Sequence, residues 1–350
     1  MINIFDLFCG AGGLSWGFND ILKYKILVAN DKDKPSLMTY YKNYPNVTTV
    51  NCDIKDFNPE KYIIQTKNPT IIIGGPPCQS YSTLGKREID QKALLYKEYF
   101  RIINKIQPFI FLYENVTGVM TMDGGKLFKN IIDIFENIGY VIRYKILNAV
   151  DFGIPQTRRR LIIIGTKNDK PFTFPQKLTT KYITLKMAIG DLPSIASGES
   201  SDVYGEAFSD YQKKMREGSL SLTMHSASKH NERLLNMISR IKEEGGTAHS
   251  LTEEPKPTSG YGNTYARLWW NKPSATITGN LGTPSSSRCI HPSDNRALTS
   301  REGARIQSFP DCYEFCGRRQ EINQQIGNAV PPILSNYLSK SIYKYIESSY

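Results

Sequence analysis

Through about residue 170, short apolar runs alternate with stretches whose apolar residues recur at helical spacing. That rhythm restricts the fold more than any other feature of the chain. Strands are predicted over residues 2–8, 25–30, 47–51, 70–74, 109–114, 141–148 and 161–165, and helices over 14–22, 36–43, 93–105 and 126–138. Runs such as Ile71-Ile72-Ile73 and Leu161-Ile162-Ile163-Ile164 are continuously apolar, as in a parallel sheet covered on both faces. Strand and helix in this repeated order predict a doubly wound α/β domain. Beyond Lys170 the rhythm stops and Pro, Gly, Ser and Thr accumulate, which predicts a second, smaller and less regular domain. Helical spacing returns at residues 300–308 and 331–346.

Composition narrows the class. A hydrophobic fraction of 40% over 350 residues supports a core and excludes disorder as the main state. The apolar runs fall far short of the roughly 18 residues of a membrane span. Met1-Ile2-Asn3-Ile4-Phe5-Asp6 reads as a strand, not a signal peptide. Six cysteines without Cys-x-x-Cys spacing and only 4 histidines argue against a disulfide framework or a zinc site, and for a reducing, cytoplasmic compartment. The net charge of +11 fits either a solvated surface or a phosphate-backbone partner, and composition alone does not choose.

Four segments carry chemistry. Asp6-Leu7-Phe8-Cys9-Gly10-Ala11-Gly12-Gly13 is a strand running into a glycine turn and then a predicted helix, and Asp31 follows about 20 positions after Gly10, placed to accept from ribose hydroxyls. Ser15 stands where a dinucleotide turn requires its third glycine, so the pattern points to an adenosine-containing ligand other than NAD, or to a plain tight turn. Gly74-Gly75-Pro76-Pro77-Cys78-Gln79 directly follows an apolar strand; the prolines end the ladder and put Cys78 where open α/β sheets bind ligands. A thiolate there is a nucleophile. Glu114 closes the apolar run 109–113, where burial would make it a proton donor. Gln156-Thr157-Arg158-Arg159-Arg160 leads into a core strand and must turn some guanidinium inward.

These blocks, with Arg301–Pro310 and Gln325-Ile326-Gly327-Asn328-Ala329-Val330-Pro331, occur in the order found in DNA (cytosine-5)-methyltransferases of the bacterial modification type, and the chain resembles that family over nearly its whole length. The resemblance implies a Rossmann-like S-adenosylmethionine-dependent methyltransferase domain over residues 1–172, a target-recognition domain over 173–318, and a C-terminal return over 319–350 that packs on the catalytic domain. It implies S-adenosyl-L-methionine as cofactor, held by Phe8, Gly10, Gly12, Gly13, Asp31, Asp53, Ile54, Pro77, Leu95, Asn328 and Ala329. Cys78 would attack cytosine C6, Glu114 would hold N3, Arg160 would reach O2 or the backbone, and Arg158 a phosphate. Pro76, Gln79, Ser82, Lys86 and Arg87 would meet the base or the DNA. The partners implied are double-stranded DNA and a separate restriction endonuclease, with the enzyme itself a monomer. A transfer-RNA cytosine methyltransferase is the nearest rival reading. Two departures from the family pattern, Asp90-Gln91-Lys92-Ala93 and Lys32, remove no group that the reaction needs.

Overall fold

Every residue of the first strand is buried, as its apolar run requires, and the strand lies inside a seven-stranded sheet. The computed structural model describes residues 1–63, 68–77, 95–178, 181–242, 244–257 and 262–349. The chain divides into two compact units: Met1–Asn148 with Arg159–Gln176 and Leu334–Tyr350, and Ala149–Arg158 with Lys177–Ile333. The boundaries differ from those expected at 172 and 318. Residues 149–158 fall in the second unit, where Thr157 N donates to Ser274 O and Ile277 N to Gln156 Oε1, and residues 319–333 fall there too.

In the first unit the strands are β1 (Ile2–Leu7), β2 (Tyr24–Asp31), β3 (Thr48–Asn51), β4 (Thr70–Gly74), β5 (Ile110–Val116), β6 (Val141–Asn148) and β7 (Arg159–Thr166), in the order β3-β2-β1-β4-β5-β7-β6. The pairs from β3 to β5 are parallel, but β7 runs antiparallel between β5 and β6. The sheet is therefore mixed: β6 and β7 follow each other through a short connection, which permits antiparallel pairing without a crossover helix. Helices α1 (Lys34–Asn43), α2 (Leu95–Ile106) and α3 (Lys126–Glu136) supply the predicted connections. Asp33 caps α1 by accepting from Ser36 N. Ile102, Ile103, Ile131 and Phe135 join Phe5, Ile72 and Phe111 in one apolar core. The helix predicted over 14–22 reduces to a single 3-10 turn, Ser15–Phe18, because the chain turns at Asp20, whose carbonyl accepts from Lys23 N and Tyr24 N, directly into β2.

The second unit contains α4 (Leu185–Ile189), α5 (Asp210–Arg216), α6 (Glu232–Ser239), α7 (Ser300–Ile306) and α8 (Arg319–Asn328), joined by long irregular segments. Irregular backbone leaves carbonyls without ladder partners, and buried arginines fill that need. Arg267, 1% exposed, donates to the carbonyls of Ile238, Ile241, His291 and Asp294. Arg296 pairs with Glu302 and Asp294, and Arg305 with Asp311 and Asp191. Burial alone would raise the Glu302 carboxyl, but the Arg296 guanidinium holds it well below the usual range. The last helix, α9 (Pro332–Glu347), returns to the first unit: Ser335 Oγ donates to Leu14 O, Tyr24 OH donates to Ser339 O, and Tyr345 packs on Phe109 and Phe172. Among the described residues no helix is long and apolar enough to cross a membrane.

His291 is 5% exposed, accepts from Asp294 N through Nδ1 and faces Glu302, Asp294, Arg296 and Arg267. Burial pushes it down to about 4. Between that value and the ordinary histidine range the unfolded chain binds the extra proton, so stability is present above about pH 6.5 and is lost as the pH falls toward 4. Urea melts at pH 7 and pH 4.5 should show a smaller loss in His291→Gln than in the wild type; an equal loss would overturn the assignment.

Candidate active site

Leu7, the last residue of β1, pairs with Gly74, the last of β4, and Gly74 pairs with Tyr113 of β5. Phe8 and Gly75, which leave β1 and β4, therefore stand level with Glu114 of the adjacent parallel strand β5. The order reverses there, since β2 and β3 lie on one side of β1 and β4 and β5 on the other. Crevices for ligands open at the carboxyl ends of strands at such a point.

At β1 the backbone turns through three left-handed residues, Phe8 (φ 57°), Gly10 (φ 52°) and Gly12 (φ 87°). Phe8 carries a side chain in that region, a conformation of the kind held at functional sites. Gly10 N donates to Asp31 Oδ2 at 2.8 Å, and Asp33 N donates to Oδ1 at 2.9 Å, so the end of β2 is tied to the turn. A side chain at Gly10 would meet open space, which leaves room for a ligand above the turn. Phe8, Ile54 and Leu95 belong to one apolar cluster, while Asp53 is half-buried and accepts from Lys55 N. Burial pushes the Asp31 carboxyl up.

Beneath the turn lies a polar chain that the sequence reading missed. Ser15 Oγ donates to Asp6 Oδ2 at 2.5 Å, and Tyr40 OH stands 2.7 Å from Ser15 Oγ. Ser15, which broke the dinucleotide pattern, is thus the partner of the carboxylate in β1. Asp6 is 1% exposed, and among the described residues its Oδ1 has no hydrogen-bond partner. Burial raises it to about 7, against the Ser15 hydrogen bond and with help from the Asp31 charge. A carboxylate inside an otherwise apolar strand was the available signal. A left-handed turn with open space above it, the buried Asp6 and half-buried Asp31 beside it, and apolar walls suits a cationic adenosine derivative such as S-adenosylmethionine.

At β5 the Glu114 carboxylate accepts from Arg160 Nε at 3.0 Å, with both side chains largely buried. A Cβ at Gly75 would fall 2.9 Å from Glu114 Oε2, so only glycine lets the β4 exit lie against this carboxylate. Asn115 Nδ2 donates to Pro76 O at 3.1 Å and fixes the first proline of the exit. The structure thus brings Glu114, Arg160 and Pro76 together. Glu114 stands at the sheet edge in an ion pair with Arg160.

Arg158 requires a correction. It is 1% exposed and donates to the carbonyls of Ile277, Gly327 and Ala329, all within the second unit, so it does not reach a phosphate. Asn328 is exposed at the end of α8, and Ala329 also belongs to that unit. Pro77 is half-buried. Cys78, Gln79, Ser82, Lys86 and Arg87, like the segment Asp90–Ala93, lie outside the described residues.

Residues 2–344 match the family model for C-5 cytosine-specific DNA methylase. The chain is 37% identical to the Type II methyltransferase M.DdeI of Desulfomicrobium norvegicum, covering 99% of this chain and 90% of that protein. It is 35% identical to the Type II methyltransferase M1.HphI of Haemophilus parahaemolyticus, covering 97% and 86%. Among solved structures it resembles one described as a prophage-encoded DNA modification methyltransferase of E. coli, with TM-score 0.78, 26% identity and coverage of 99% and 100%. An Entamoeba histolytica methyltransferase at 17% identity and TM-score 0.64, covering 99% of each chain, shares the fold. The chain therefore belongs to the C-5 cytosine-specific DNA methylase family, and its activity is methylation of cytosine C5 in DNA.

Proposed function

We propose that the methyl group comes from S-adenosyl-L-methionine, leaving S-adenosyl-L-homocysteine, and goes to a cytosine flipped out of a specific sequence in double-stranded DNA. The observation that carries this reading is the junction of Glu114, Arg160 and the Gly75-Pro76 exit immediately before Cys78. The Cys78 thiolate attacks C6, and the electron pair of the C5–C6 bond moves to C5, which is otherwise a poor nucleophile. When bound, the cofactor supplies an electrophilic methyl group on sulfur. Loss of the C5 proton then restores the double bond and expels Cys78.

Glu114, protonated in the complex, donates to N3 and stabilises the charge that develops on the ring. Arg160 is free to turn its remaining donors toward O2. The Pro76 carbonyl, which already accepts from Asn115, has a second lone pair for the exocyclic amine. Arg158 acts as a positioning residue, anchoring its segment to the carbonyls of the second unit. Phe8, Asp31, Asp53, Ile54, Leu95 and Pro77 hold the cofactor above the turn of Gly10, Gly12 and Gly13. Gln79, Ser82, Lys86 and Arg87 meet the DNA, and the second unit reads its sequence. Extrusion of the base costs a few kcal/mol. The names of the Type II relatives support a separate restriction endonuclease as companion.

A duplex carrying 5-fluorocytosine at the methylated position should trap a covalent adduct through Cys78 in the presence of cofactor, because fluorine cannot leave as a cation. Cys78→Ala should still bind cofactor and form none; absence of the adduct with folded, cofactor-bound wild type would sink the mechanism. Glu114→Gln should lower kcat by about 100-fold or more while cofactor affinity stays within a few-fold. Asp6 gives a third test. Its carboxyl is raised to about 7, and a bound sulfonium favours the charged form, so cofactor affinity measured by calorimetry should rise from pH 6 to pH 8. Asp6→Asn should flatten that rise; an unchanged slope would exclude Asp6 as its source.

A further inference from the structure

From Pro255 to Ser293 the chain contains no aspartate or glutamate, while it holds Lys256, Arg267, Lys272 and Arg288. Arg267 is consumed by backbone carbonyls inside the second unit. Two of the others are gathered on one ring: Arg288 lies 4.4 Å and Lys272 5.0 Å from the centroid of Trp269. Such stacking holds a guanidinium in a defined plane. Arg288 Nη1 is further fixed by the carbonyls of Arg267, at 2.7 Å, and Gly245, at 3.3 Å. Gly245 adopts φ +85°, and a Cβ there would fall 1.9 Å from Trp269 Nε1, so the backbone closes tightly against the indole edge. The ring is thus clamped between the Gly245 turn and the two cations.

What this assembly leaves open is the Nε–Nη2 edge of Arg288, which makes no hydrogen bond among the described residues, and the exposed ammonium of Lys272. Neither cation forms an ion pair with a described carboxylate. Burial pushes the Arg288 guanidinium down, a cost that an anion at its open edge would offset. The turn just before Arg288 is stitched by Thr283 N to Asn280 O and Ser286 N to Thr283 O, and it exposes the hydroxyls of Thr283, Ser285 and Ser286. A planar fork, a point charge and exposed hydroxyls match the two free oxygens of a phosphodiester.

We propose that Arg288 and Lys272, organised on Trp269 and Gly245, form a clamp for a backbone phosphate of the DNA duplex. The clamp rests on DNA being the substrate, and it contributes affinity without sequence preference. Nothing in the methyl-transfer chemistry uses it, so kcat at saturating DNA is independent of it.

Binding of a random-sequence duplex, measured by fluorescence anisotropy across a salt series, tests the clamp. For wild type, a steep fall of affinity with salt is expected; a flat response would count against phosphate binding by the chain as a whole, separately from the clamp. Lys272→Ala and Arg288→Ala should each lower the slope of log K against log salt by about 1 and weaken binding about tenfold at low salt. Arg288→Lys should restore the slope but not the full affinity, because it keeps the charge and loses the fork. Lys272→Ala removes an exposed side chain and should leave the melting temperature unchanged, so folding does not obscure the result. Unchanged slopes in both alanine variants would overturn the clamp. So would a loss confined to duplexes carrying the methylated site identified by bisulfite sequencing, which would make Arg288 a reader of a guanine edge.

Discussion

The pairing of Leu7 with Gly74, where β1 and β4 end side by side at the point of strand-order reversal, is the constraint on which the site depends. Connections leave β1 and β4 toward opposite sides of the sheet, so the backbone after each strand must diverge from the other, and a crevice opens between them. The two glycine-rich segments of the sequence are the two walls of that divergence. One turns left-handed at Phe8 and Gly10; the other runs straight into two prolines. Glu114 reaches the same level because β5 is in register with β4, and Gly75 leaves its carboxylate the room to lie there.

The basic motif before β7 shows how one run of charge divides its work. Arg158 ends in the second unit, buried on three carbonyls, whereas two residues later Arg160 sits in β7 opposite Val116 and pairs with Glu114. Arg159 between them is exposed. The first of these arginines fixes a segment and the second meets a carboxylate of the site. A guanidinium serves both ends because its five donors satisfy carbonyls and carboxylates alike.

The same property changes the meaning of the +11 charge. Arg158, Arg267, Arg296, Arg301 and Arg305 are all 1% exposed or less, so part of the basic surplus is the internal scaffold of an irregular unit and never meets DNA. Such a unit has few strand ladders to satisfy its backbone, and arginine with paired acids takes over that task. Sequence composition registers these residues as positive surface. Burial shows them to be framework, whereas Lys272 beside Trp269 is exposed.

The order of strands and helices, the glycine turn, the Gly-Pro-Pro exit and Glu114 were legible in the sequence because each follows from local rules: apolar periodicity, the freedom of glycine and the rigidity of proline. The direction of β7, the collapse of the helix after the turn to Ser15–Phe18, the chain from Asp6 through Ser15 to Tyr40 and the opposite fates of Arg158 and Arg160 were not. Each of those depends on which distant residue a side chain or strand meets, and a local pattern carries no such information. The sequence by itself determined that the glycine turn and the Gly-Pro-Pro exit would stand on one α/β sheet edge. Only the tertiary structure decided which charged groups serve that edge and which are buried as framework, since burial and pairing are set by the fold as a whole.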